Sequence, residues 1–179
     1  MENLKLYYTD FFKKSINWKL KSLSSLVASM VYNSENINLI ERSHLYFIDE
    51  TGKERIFRLI FRGYDALSDF KEPSHGIIVS EVFRKDINHD KFYEGFYLSF
   101  EDGFILKKVT IWSDSYLGLK FGKISDILAL HFSNGKSIYF RLTDRQEVDL
   151  FINYITPQVF FTQYPDKNER QLVLLANIE

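Results

Sequence analysis

Two six-residue segments rich in apolar residues, 127–132 and 137–142, flank the tetrapeptide Ser133-Asn134-Gly135-Lys136, and this spacing admits few folds. Runs of this length on either side of Asn-Gly specify a β-hairpin. Side chains alternate faces along a strand, so a one-residue slip exchanges the buried set for the exposed one. A two-residue Asn134-Gly135 loop would oppose Leu128, Leu130 and Phe132 to Arg141, Tyr139 and Ser137, wasting the apolar face. A three-residue loop, Ser133-Asn134-Gly135, with Gly135 left-handed in a bulge, pairs Leu130 with Ile138 and Leu128 with Phe140. The second register is expected.

The same strand period extends upstream to His44. Strands are expected over 44–49, 54–62, 76–84, 94–100, 104–112, 127–132 and 137–142, with turn chemistry at "DETGK", "EDGF" and "SNGK". At Asp102-Gly103 a type I′ turn would pair Phe100 with Ile105 and Phe96 with Val109, setting Phe96, Leu98, Phe100, Ile105, Val109 and Ile111 on one face.

Helices are expected on both sides of these strands. Over 9–32, Phe12, Ile16, Leu20, Leu23, Val27 and Met30 fall at helical spacing, with Thr9 or Asp10 as N-cap. Lys13, Lys14, Lys19 and Lys21 make the first half basic, so a membrane-surface helix stands beside the ordinary reading of a helix docked on the core. After the last strand, Asp144 and Glu147 resemble a capping box, Val148, Phe151, Ile152 and Ile155 form an apolar stripe, and Pro157 stops the helix. The fold class expected is α+β: about seven antiparallel strands in a curved sheet or barrel, with two flanking helices. No repeat or linker divides the chain, so 1–179 reads as one domain, with an N-terminal helix at 9–32, a β-rich core and helix at 44–155, and an extension at 156–179.

Composition removes several function classes. A chain of 179 residues with 45% hydrophobic and 17% aromatic residues can bury a core without staples. The absence of cysteine excludes disulfides, thiolate catalysis, cysteine-ligated zinc and iron–sulfur clusters. Lys plus Arg at 23 against Asp plus Glu at 24 argues against a general nucleic-acid binder, which needs a basic surplus to neutralise phosphates. No run reaches the ~18 apolar residues of a membrane span. "MENLKLYYTDFFKK" lacks the pattern of a signal peptide, so a cytoplasmic location is the expectation.

The ending "ISDILALHFSNGKSIYFRLTDRQEVDLFINYI", preceded by strands from His44 onward, resembles the last hairpin and capping helix of the pleckstrin-homology and GRAM-like superfold. The resemblance implies a barrel closed at one end by the C-terminal helix, and a lipid-headgroup or peptide site at the first hairpin. Lys53, Arg55 and Arg58 in "GKERIFR" occupy the place of that site's basic residues. The tryptophan that many members carry in the capping helix is absent, Phe151 being the nearest candidate.

Motifs for chemistry are sparse. "DINHD" opens like a calcium loop, but Lys91 stands where the turn needs glycine and Tyr97 where a bidentate Glu should close the cage. His44, His75, His89 and His131 lack the spacing of a metal-binding pair. No nucleophile elbow accompanies the serines, and no glycine-rich phosphate loop occurs. Neither a metal nor another cofactor is expected. Aromatic residues are the abundant resource: Tyr97 and Tyr139 alternate out of phase with the apolar sets, and Tyr93, Trp112 and Tyr116 flank strands, which suits the gripping of another protein. The expected function is a non-enzymatic binding protein that occludes a partner, such as a bacterial immunity protein or antitoxin. The alternative is a PH-like adaptor using Lys53, Arg55 and Arg58. The expected binding residues are these three with Tyr97 and Tyr139.

Overall fold

The computed structural model describes residues 9–33, 36–62, 76–87, 95–114, 127–142, 147–152 and 172–179. Among them is one α-helix, α1 (Thr9–Ser15), followed by β1 (Lys19–Asn33), β2 (Asn36–Ile48), β3 (Glu54–Arg62) and β4 (Gly76–Val82). A 3₁₀ turn (Arg84–Asp86) follows β4. Then come β5 (Gly95–Ser99), β6 (Leu106–Asp114), β7 (Ile127–Phe132), β8 (Ser137–Leu142), β9 (Glu147–Ile152) and β10 (Leu172–Ile178).

All the pairings are antiparallel, and they divide into two sheets. Five strands, β4-β3-β2-β1-β5, form one. Four strands, β6-β7-β8-β9, form the other, and β10 adds to the outer edge of β6. The first half of β2, Asn36–Ile40, pairs with β9, while Arg42–Ile48 pairs with β3, so this long strand crosses from one sheet to the other. On the opposite side β1 meets the residue before β6 through a single bridge, Lys19–Ile105, so among the described strands no ladder closes the array into a barrel.

The segment joining β5 to β6 makes a corner. Phe100 donates its N–H to the Lys21 carbonyl at 2.9 Å, and Leu20 donates to Phe104 at 2.8 Å, so both limbs run antiparallel to β1. Between them Gly103 takes φ 101°, a conformation that L side chains resist. The expected Asp102-Gly103 hairpin is therefore corrected: β5 pairs with β1, and β6 pairs with β7 and β10. A turn signal of this kind also serves a strand that changes sheets.

The α+β expectation of seven strands and two helices is overturned as well. All seven expected strands occur, but 19–33 and 147–152 are strands rather than helices, and β10 is a further one. The N-terminal helix lasts seven residues and ends where Asn17 adopts φ 73°, a left-handed terminator. Register shifts in β1 explain the misleading period: a bulge between Leu20 and Ser22 adds one residue, so Leu20 and Leu23, three apart, both reach the core. Lys21, the extra residue, stays exposed. The same device in β6 leaves Lys107 outside and puts Leu106 and Val109 inside. In β9, Val148, Leu150 and Ile152 take register positions opposite Leu142, Phe140 and Ile138, so period two governs a run that also scans as helical. The segment placed as a capping helix thus contributes a strand joining β8 to β2. Asp144 and Pro157, its expected limits, lie outside the described residues.

The last hairpin follows its expected register, with Leu128 opposite Phe140, Leu130 opposite Ile138, and Gly135 at φ 77°. The β2–β3 hairpin closes in the same way: Asp49 donates to Lys53 O, Gly52 to Asp49 O, and Gly52 takes φ 81°. The main core lies between the sheets, where Leu20, Leu23, Leu45, Phe57, Leu59, Leu106, Val109, Leu128, Leu130, Ile138 and Phe140 are buried. At one end Phe12 of α1 meets Phe57 edge-on at 6.0 Å, with Phe47 and Trp18 against the same ring. Burying one such side chain stabilises the fold by about 1.5–3 kcal/mol.

Candidate functional site

Among the described residues, charged side chains cluster at the tip of the β2–β3 hairpin and the end of β4. Asp49 accepts from Thr51 N, Thr51 Oγ1 and Lys53 N at 2.7–2.9 Å, and its other oxygen accepts from Arg55 Nε at 3.0 Å. The Thr51 hydroxyl, then Lys53 and Arg55, hold the Asp49 carboxyl well below the usual carboxylate range, against the opposing effect of burial. Arg55 also donates to Glu81 at 3.0 Å and stacks over Trp18, its guanidinium 5.9 Å from the ring. These bonds to Asp49, with the nearby Glu81, raise the Arg55 pKa.

Beside this cluster Arg84 grips Glu54 with two of its three guanidinium nitrogens, Nε at 2.9 Å and Nη2 at 3.0 Å, a fork that resists rotation. Lys21 Nζ approaches the same carboxylate at 4.0 Å. The residue before Arg84 is Phe83, 68% exposed, with Lys85 Nζ 5.8 Å from its ring. Lys53 is exposed at the same end of the β3–β4 pair.

The expected basic residues therefore have separate fates. Lys53 faces solvent. Arg55 is committed to Asp49, Glu81 and Trp18. Arg58 is half-buried on β3 and donates Nε to His44 Nε2 at 3.3 Å. The expectation of Lys53, Arg55 and Arg58 as one basic group is not matched by a shared open surface. Arg55 and Arg58 point to opposite faces of β3, as residues three apart must in a regular strand.

Arg58 belongs to a polar rung crossing the five-stranded sheet. Tyr97, Ser24, His44, Arg58 and Ser80 are consecutive cross-strand neighbours on β5, β1, β2, β3 and β4. Next to the rung, Ser24 Oγ and Tyr46 Oη lie 3.2 Å apart. His44 is buried, whereas Tyr97 at the outer end of the rung is 60% exposed.

Tyr139 is buried, not exposed. It packs with Ile127 and Ala129 beside Trp112 on the outer face of the second sheet, and burial raises its pKa. Its out-of-phase position made it look available, but that face is covered too. Tyr93 and Tyr116 lie outside the described residues. Near Tyr139, His131 bonds Thr110 Oγ1 through Nε2 at 2.9 Å and Ser137 Oγ through Nδ1 at 2.8 Å. Burial, then the Lys108 charge, lowers the His131 pKa. The arrangement is a hydroxyl–imidazole–hydroxyl chain across three strands, and Ser137 also bonds the Tyr139 hydroxyl.

Among the described residues, no group of three or more His, Asp or Glu side chains could hold a metal ion, and no helix is long and apolar enough to cross a membrane. Sequence reasoning passed over Phe83. Its signal was an aromatic residue directly before two basic residues at a strand end, in "VFRK". No protein-family model matches the chain, and neither a curated protein nor a solved structure matches it significantly.

Proposed function

We propose that this chain is a non-enzymatic, cytoplasmic protein-binding protein that acts by covering a partner's surface, in the manner of a bacterial immunity protein or antitoxin. The observation that carries the reading is Phe83, an aromatic side chain 68% exposed, beside Arg84, whose side chain forks onto Glu54. An exposed aromatic side chain offers a large apolar contact area with only two side-chain torsions to fix on binding, which is the character of an interface anchor. Lys85 and Lys53 at the same end give it a basic rim, suited to a partner with an apolar pocket bordered by acidic residues.

The test expresses the polypeptide encoded immediately upstream, alone and together with this chain. Growth arrest by the first, relieved by co-expression and not by a Phe83→Asp variant with unchanged thermal stability, is the expected result. No relief, or equal relief by the variant, overturns the proposal. Sedimentation with phosphatidylserine vesicles is the second arm. Salt-sensitive co-sedimentation abolished by Phe83→Asp, without any relief of growth arrest, replaces the protein partner with a lipid headgroup.

A further inference from the structure

The hydrogen-bonding edge of β5 carries an inference independent of Phe83. Phe100 donates to the Lys21 carbonyl, and the register places Ser22 opposite Ser99, Leu23 opposite Leu98, Ser24 opposite Tyr97 and Ser25 opposite Phe96. In an antiparallel ladder, residues bonded to a given neighbour alternate with residues whose N–H and C=O point the other way. Phe100, Leu98 and Phe96 therefore bond β1, while Ser99, Tyr97 and Gly95 turn their backbone groups outward. β5 ends the strand order, so among the described strands nothing pairs with these outward groups.

Such edges are normally blunted by a charge, a proline or a bulge. The segment Gly95-Phe96-Tyr97-Leu98-Ser99 has no charged residue and no proline, and its pairing with β1 is without a register shift. Laid antiparallel against a copy of itself about Tyr97, it is self-complementary. Tyr97 meets Tyr97 of the copy with both outward groups exchanging hydrogen bonds, Gly95 meets Ser99, and Phe96 meets Leu98. The two exposed Tyr97 side chains become a directly opposed cross-strand pair, an arrangement that aromatic residues favour. We infer that β5 is an isologous interface through which two copies of this chain join their five-stranded sheets into one continuous sheet.

The chain has no cysteine, which makes the geometry directly testable. Light scattering on the full chain is expected to report twice 21.3 kDa as concentration rises. The mass returns to that of the single chain in Tyr97→Glu, which opposes two carboxylates across the two-fold axis, and stays doubled in Tyr97→Phe. In Tyr97→Cys the new thiols face each other about 5.5 Å apart at Cα, within disulfide reach, so mild oxidation yields a covalent dimer. Leu174→Cys, exposed on another strand, yields little. A single-chain mass at every concentration overturns the inference, as does a doubled mass that persists in a folded Tyr97→Glu. These outcomes do not depend on relief of growth arrest or on Phe83.

Discussion

The backbone N–H of Asn17 donates to the carbonyl of Leu106 at 2.7 Å while Asn17 holds φ at 73°. This one bond ends α1, starts β1 and ties both to the first residue of β6. Lys107 Nζ adds a bond to the Asn17 side-chain oxygen at 2.8 Å. A β-branched residue at this left-handed position should cost about 1–3 kcal/mol, so Asn17→Val is expected to lower the urea midpoint at unchanged m-value. Asn17→Gly, which accepts the angle, should stay close to the parent.

Gly135 and Gly52 close the two three-residue hairpin loops at φ 77° and 81°, and a Cβ at either position would meet no atom within 4 Å. Any cost of Gly→Ala there comes from the backbone angle alone, about 1–2 kcal/mol. The two variants are expected to lose similar stability in denaturant titrations, and Gly→Asn at the same positions should recover part of it.

Leu130 lies opposite Ile138 and is fully buried between the sheets. Leu130→Ala should destabilise by about 2–5 kcal/mol, the transfer and cavity costs together. His131, its neighbour on the other face, gives the contrast. Chemical denaturation of Leu130→Ala and His131→Gln against the parent at pH 8 separates a packing loss from a polar one.

The folded-state pKa of His131 lies below 6.5, so the native protein binds fewer protons there than the unfolded chain. Its contribution is fully present above pH 6.5 and is lost as pH falls from 6.5 through the depressed folded value. Parent stability should decline over that window, and the His131→Gln difference should shrink with it. Paired urea titrations at pH 8, 6.5 and 5 check the sign.

Asp49 behaves as a depressed carboxylate. Its folded pKa is below the ordinary 3.8, so its contribution is present above that pH and disappears as the solution is acidified through the lower folded value. Asp49→Asn is expected to be less stable than the parent at pH 7, with the gap closing below about pH 4. Melting temperatures across that range provide the measurement.

How much of this could be read in advance depends on how local the information is. The hairpin from Ile127 to Leu142 was legible to its register, because one loop and two facing apolar sets sit within 16 consecutive residues. The strand at Glu54–Arg62 was legible for the same reason, through the Asp49–Lys53 turn. Of the site residues, Tyr97 was placed on an exposed position, whereas Tyr139 followed the same alternation into a covered face. Alternation tells one face from the other and carries no information on what lies above either.

The amino-acid order alone determined that the chain is β-rich, cysteine-free, nearly balanced in charge and able to form a three-residue hairpin loop at Ser133-Asn134-Gly135. Tertiary pairing decided the rest. Bulges at Lys21 and Lys107 reset the period of β1 and β6, and the vacant edges of β8 and β2 drew 147–152 into a strand. Short apolar runs satisfy helix and strand periods equally, and backbone partners many residues away hold the deciding hydrogen bonds.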